Sequence, residues 1–130
     1  MTYNEIIPNL FLGSQQDAIE FDKAWGEDGT IICVLEQRPA NEPFSSYHTP
    51  IRTSSGHVHD KQLKHIAWFL QILLAKNQKT LVHCAAGLER SPLTIAYFLT
   101  KIHFRNDIKQ AYEYIKTKRP EVYDRSDWLV

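Results

Sequence analysis

The sequence predicts an α/β fold: a central, mostly parallel sheet flanked by helices. Two observations carry this. Short β-branched apolar runs, "TIICVLE" at 30–36 and "KTLVH" at 79–83, alternate with amphipathic stretches of helical period, as expected where a buried sheet is crossed by helices. One further stretch, "TLVHCAAGLERSPLTIAYFLT" at 80–100, passes from an apolar strand through small residues into an apolar helix. The length of 130 residues suits a single domain over 1–130. A chain of this size buries roughly two-thirds of its unfolded surface and needs no staples.

The elements follow in order. "EIIPNLFLGS" is two apolar pieces broken by Pro8-Asn9 and closed by Gly13-Ser14, an edge strand or hairpin. "QQDAIEFDKAW" is an amphipathic helix with Ala18, Phe21 and Trp25 on one side. "GEDG" turns the chain into the strand "TIICVLE". "QRPANEPFSS" is a polar loop, "YHTPI" a short strand, and "RTSSGHVHD" a flexible loop. From Asp60, placed to cap the helix, Leu63, Ile66, Ala67, Leu70, Leu73 and Leu74 form one stripe. After "KTLVH", Ser91 is a natural N-cap and Pro92 suits the first turn of the next helix. "DIKQAYEYIKTKRP" is the last helix, with Asp107 at its start and Lys116, Lys118 and Arg119 at its end, as the macrodipole prefers.

Fifteen basic and fifteen acidic side chains cancel, so no bulk attraction to nucleic acid or an anionic membrane is expected. No apolar run is long enough to span a bilayer, and "MTYNEIIPNL" lacks the pattern of a signal peptide. Two cysteines, Cys33 and Cys84, do not make a disulfide framework, and a reducing cytoplasmic setting is the default expectation. Cys33 is expected to be an inert core thiol, with a disulfide to Cys84 as the alternative. Trp68, Phe69, Tyr97, Phe98, Phe104, Tyr112 and Tyr114 are expected mostly in the core. Lys116, Lys118 and Arg119 are expected to be a plain helix end, with a substrate-docking patch as the alternative.

The chemistry lies at 83–92. Strand 80–83 delivers Cys84 at its carboxyl end, where open α/β sheets bind ligands. Ala85, Ala86 and Gly87 carry little bulk, so successive N–H groups can turn inward as an anion cradle. Leu88 and Glu89 complete the loop. Arg90 offers a planar fork matched to a tetrahedral anion. The same field depresses the Cys84 pKa, and a thiolate facing phosphorus is a nucleophile.

"HCAAGLERSP" resembles the His-Cys-x5-Arg-Ser/Thr signature of the cysteine-dependent protein tyrosine phosphatases. Gly87 and Ser91-Pro92 resemble the dual-specificity branch in particular, as does the opening run "IIPNLFLGSQQDA". The resemblance implies a phosphatase P-loop between strand and helix, and two-step hydrolysis of phosphoprotein monoesters, phosphotyrosine favoured, through a phosphocysteine. In that reading Cys84 attacks, Arg90 and the N–H groups of 85–90 bind the phosphoryl group, and Ser91 helps the thiolate leave. Neither metal nor organic cofactor is implied. The family's general acid is an upstream loop aspartate, and its slot falls near Thr53 or Ser54, neither of which is an acid. Asp60, 24 residues before Cys84, ranks first in its place, His57 or His59 second and Glu89 third. Two alternatives stand beside this reading: a phosphate-binding module without turnover, and a phosphatase of an RNA 5′ end or a phosphoinositide. The apolar and acidic signature loop disfavours a highly anionic head group, and neutral net charge makes nucleic acid an unexpected partner.

Overall fold

Pro8 and Asn9 turn the first strand back on the second, with Asn9 in the left-handed region (φ 72°) that asparagine tolerates. The computed structural model describes residues 3–43, 46–54 and 56–129. The two expected loops at 37–46 and 52–60 therefore fall partly outside the described residues, at 44, 45 and 55.

Strands β1 (Asn4–Ile7) and β2 (Leu10–Gly13) form the expected hairpin, and helix α1 spans Gln15–Trp25. Ser14 caps α1, its hydroxyl accepting from the Asp17 N–H while Asp17 reaches back to the Ser14 N–H. Strand β3 is Gly29–Cys33, shorter than the apolar run that predicts it, and β4 is the two-residue Tyr47–His48. The expected flexible loop at 52–60 holds a small hairpin, β5 (Thr53–Ser54) against β6 (His57–Val58). Helix α2 spans Asp60–Ala75, β7 Lys79–His83, α3 Arg90–Phe98 and α4 Ile108–Lys118. A π-turn over Leu99–His103 ends α3.

The main sheet runs β1-β2-β7-β3-β4, with β1 antiparallel and every other pairing parallel. Side chains alternate across it. Phe11, Ile31 and Leu81 face one layer with Ala18 and Phe21 of α1. Leu10, Leu12, Ile32 and Val82 face the other, with Leu63 and Leu70 of α2, Leu93 and Ala96 of α3, and Tyr112 of α4. The α2 stripe is buried at Leu63, Ile66, Ala67 and Leu70.

One expectation fails locally, and another holds with two exceptions. Asp60 does not cap α2. His59 does, its Nδ1 accepting from the Lys61 N–H (3.2 Å), and Asp60 begins the helix. Of the aromatics expected mostly in the core, Phe69, Tyr97, Phe98, Tyr112 and Tyr114 are in or against it, and Trp68 and Phe104 stand exposed. Trp68 sits one position past the stripe residue Ala67, and Phe104 lies beyond α3 and its π-turn. No helix among the described residues is long and apolar enough to cross a membrane.

Candidate active site

Strand β7 lies at the centre of the sheet, between β2 and β3, so its carboxyl end is walled on both sides. Cys84 follows it directly, and residues 84–89 turn into α3. The helix begins at Arg90, earlier than the expected Ser91 cap, with Glu89 in the cap position and no side-chain bond there. Ser91 is thereby released from capping, and its hydroxyl lies 3.2 Å from Cys84 Sγ.

The backbone accounting of this loop explains its shape. His83 Nδ1–H donates to the Cys84 carbonyl (3.1 Å) and the Gln15 N–H to the Ala85 carbonyl (3.0 Å). Arg119 donates through Nη2 to Ala86 O (3.1 Å) and through Nε to Gly87 O (3.0 Å). The Tyr123 N–H takes Leu88 O (2.9 Å), the Leu93 N–H takes Glu89 O (3.1 Å) and the Thr94 hydroxyl takes Arg90 O (2.8 Å). Each carbonyl from Cys84 to Arg90 is claimed by a donor outside the cradle, which leaves N–H groups to face inward. Gly87 sits at φ 74°, and a Cβ there would lie 2.7 Å from the Gly13 backbone. Only glycine meets both conditions.

Arg119 is not the plain helix end that its place in "KTKRP" predicts. It is buried, and besides the two loop carbonyls it donates to Asn4 Oδ1 (2.8 Å) and lies 4.0 Å from Asp17 Oδ2. One guanidinium thus joins β1, α1 and the loop.

Cys84 is buried. Burial pushes its thiol up, but hydrogen bonds from the Ser91 hydroxyl and the N–H groups of Ser91, Glu89 and Gly87 outweigh that and hold its pKa below the usual value. The residue before it, on the other face of the strand, carries a fixed cation. His83 is fully buried, with Nδ1 on a carbonyl and Nε2 2.9 Å from Glu42 Oε2, itself buried. A carbonyl and a carboxylate only accept, so both ring nitrogens carry protons and the ring is an imidazolium. Burial alone lowers the His83 pKa, but hydrogen bonds to Cys33 and Glu42 and the Glu42 charge together raise it to about 10.

Cys33 pairs with His83 in register and contacts its ring. Alternation puts both on the α1 face, whereas Cys84 packs with the opposite layer. This geometry disfavours the Cys33–Cys84 disulfide, and both cysteines are free and buried.

Above the cradle, a cavity of about 260 Å³ is lined by Cys84, Ala85, Ala86, Leu88, Glu89, Arg90 and Tyr123. Arg90 borders it, its Nε–H donating to Ile51 O (3.2 Å) and its guanidinium 6.0 Å from the Trp128 ring. Glu89 is held by Arg125, whose Nε and Nη2 both donate to Glu89 Oε2 (2.8 and 2.6 Å). The general-acid candidates are dispersed. Asp60 lines a different cavity, with Lys64, Trp68, Tyr97 and Lys101, and accepts the Tyr97 hydroxyl (2.9 Å). Burial and this carboxylate push Tyr97 up to about 12. His59 is spent as a helix cap and His57 is exposed on β6. Of the candidates, only Glu89 borders the Cys84 cavity. Glu42, Tyr123 and Arg125 were not legible as site residues, and Arg119 only through the alternative of a substrate-docking patch.

A family model described as "Dual specificity phosphatase, catalytic domain" matches residues 10–129. Human dual specificity protein phosphatase 5 is 30% identical over 122 residues, covering 91% of this chain and 31% of that protein. Mouse dual specificity protein phosphatase 14 is 30% identical over 129 residues, covering 91% of this chain and 61% of that protein. The chain thus spans about a third of the length of the first of these relatives. Among solved structures, the human tyrosine phosphatase-like serine/threonine/tyrosine-interacting protein superposes with a TM-score of 0.79 at 20% identity, covering 98% of this chain and 90% of that one. The Cydia pomonella PTP-2 phosphatase gives 0.77 at 19%, covering 98% and 85%. These structures share the fold, and the matched model shows that the chain belongs to the dual specificity phosphatase family.

Proposed function

We propose that residues 1–130 form one catalytic domain that hydrolyses phosphate monoesters of proteins, aryl esters such as phosphotyrosine above all. The observation that carries this is a buried thiol, 3.2 Å from the Ser91 hydroxyl, at the floor of a cradle whose carbonyls all point away. The N–H groups and Arg90 bind the three terminal phosphoryl oxygens. The Cys84 thiolate attacks phosphorus, the P–O bond to the leaving group breaks, and a phosphocysteine forms. Water then attacks phosphorus, the P–S bond breaks, and inorganic phosphate is released. Ser91 donates its hydroxyl proton's hydrogen bond to the departing sulfur, for which its 3.2 Å separation is suited.

Substrate preference follows from the leaving group. A phenol has a pKa of about 10 and departs more readily than an alkoxide. General-acid assistance contributes about 10²- to 10⁴-fold, and Asp60 stands in another cavity, bonded to Tyr97. Glu89, the candidate carboxylate at the cavity, is engaged by Arg125. Aryl phosphates are therefore the expected substrates, with kcat falling steeply as the leaving-group pKa rises.

The test is hydrolysis of a series of aryl phosphates and a phosphoserine peptide against pH, by wild type and Cys84→Ser. Turnover by wild type alone, with the phosphoserine peptide slower by about 10² or more, supports the reading. Equal rates on both ester types would overturn the aryl preference. Tight phosphate binding without turnover would overturn the enzyme reading.

A further inference from the structure

The cavity over Cys84 has a wall that the phosphate chemistry does not use. Tyr123, on the segment after α4, lines it opposite a floor of loop backbone and yet keeps 56% of its surface exposed. Its backbone is fastened to the loop, because its N–H donates to Leu88 O (2.9 Å). Its ring is backed by Arg125, whose guanidinium lies 5.7 Å from the ring centroid. Arg125 is in turn fixed by Glu89 and by the Trp128 ring 5.2 Å away. A phenol plate supported on one side and open on the other costs little ordering when a ligand arrives.

We propose that Tyr123 is the specificity-determining wall of this site, stacking its open face on the aryl ring of a phosphate ester seated in the cradle. This rests on the reading of residues 84–90 as a phosphate site and deepens it. A phosphoryl group held at Cys84 directs its ester substituent outward, past Leu88 and Tyr123. A flat aromatic substituent matches a flat aromatic wall, whereas a serine Cβ offers no face to stack. Glu89 and Arg125 then act as positioning residues that hold the plate upright. Glu89 so engaged is also partly neutralised, which eases entry of a dianion past a loop carboxylate.

The substitution Tyr123→Ala isolates the ring, because it keeps the backbone N–H that holds Leu88 O. The exposed side chain gives no reason for the variant to unfold, and its melting temperature checks this. Wild type, Tyr123→Ala and Tyr123→Phe are compared by KM for a phosphotyrosine peptide and by the competitive Ki of inorganic phosphate, which has no ring. The expected result is a KM raised by about 2- to 12-fold in Tyr123→Ala, the loss of one aromatic pair, with the phosphate Ki unmoved. Tyr123→Phe restores the wild-type KM. An unchanged KM in Tyr123→Ala overturns the proposal, and so does an equal rise in the phosphate Ki, which would mean that Tyr123 acts only through the loop. If wild type does not turn over, the catalytic reading fails by itself. The proposal is then read as the Kd of phenyl phosphate against that of inorganic phosphate by NMR titration, with the same two outcomes.

Discussion

Residues 84–90 and residues 52–60 are the two loops to which the sequence assigns the chemistry, and they are built differently. In the first, every carbonyl is taken by a donor from α1, α3, Arg119, His83 or Tyr123. In the second, two strands of two residues each face one another. The Gln62 side chain brackets Arg52 with two backbone bonds (2.7 and 3.1 Å), and Val58 meets Leu129 in one isolated bridge. Among the described residues, the first loop is fastened through its carbonyls, and the second through a small hairpin, the Gln62 side chain and the buried Val58. Preorganised donors cost nothing to reorient when charge develops on phosphorus. In the proposed reaction, Glu89 is the one general-acid candidate at the Cys84 cavity and Arg125 engages it, so leaving-group chemistry would supply the difference.

The largest expected effect breaks the first loop at its nucleophile. Cys84→Ser should lower aryl phosphate turnover by about 10⁵-fold or more while still binding vanadate, because the carbonyl bonds that shape the cradle remain. Retained turnover would remove the thiolate from the mechanism. Next, Arg119→Ala leaves two loop carbonyls, Asn4 and Asp17 without this donor. Unfolding should become easier by about 3 kcal/mol, and KM for aryl phosphate should rise with it. A stable variant with unchanged KM would mean that the loop holds its shape without the guanidinium.

A smaller effect sharpens the role of the buried cation. Glu42→Gln keeps an acceptor near His83 Nε2 but removes the charge. The Cys84 pKa should rise, seen as a shift of iodoacetamide alkylation to higher pH. The same pair sets a stability window. The His83 pKa is raised from 6.5 to about 10 on folding. Its contribution is therefore fully present below pH 6.5, declines as pH rises and is lost above about 10. Urea midpoints against pH should show that slope in wild type and a flatter one in Glu42→Gln. The smallest effect tests the second loop. Asp60→Asn should leave the pH–rate profile unchanged and cost about 1 kcal/mol through Tyr97. A lost limb in that profile would restore Asp60 as the acid.

The strand–loop–helix core of the site was legible because its signals are local. Apolar alternation marks β7, and Ala85, Ala86 and Gly87 mark a backbone that must approach an anion. The supports were not legible because they arrive from far along the chain. Glu42 sits in a polar loop with nothing to announce a buried partner, and it meets His83 only when that loop folds over the strand end. Arg119 resembles any basic residue at a helix end until α4 docks beside β1. Tyr123 and Arg125 lie in a stretch without periodicity. The cap at Ser91 was misplaced because Ser-Pro is a generic helix-start signal, while the turn at Gly87 winds the chain into helix earlier.

The bonds of Arg119 to Asn4, Ala86 and Gly87 join positions separated by 115, 33 and 32 residues. Contacts of such long sequence separation form only after the intervening chain has closed its loops, and they slow folding. The cradle thus draws on residues from β1 to the segment after α4, and a nascent fragment ending before α4 lacks the bonds of Arg119 and Tyr123. In refolding from urea, phosphate-binding capacity should return together with the last phase of native fluorescence and not before. A chain emerging during synthesis would accordingly carry Cys84 in a loop that lacks the Arg119 bonds until α4 has docked.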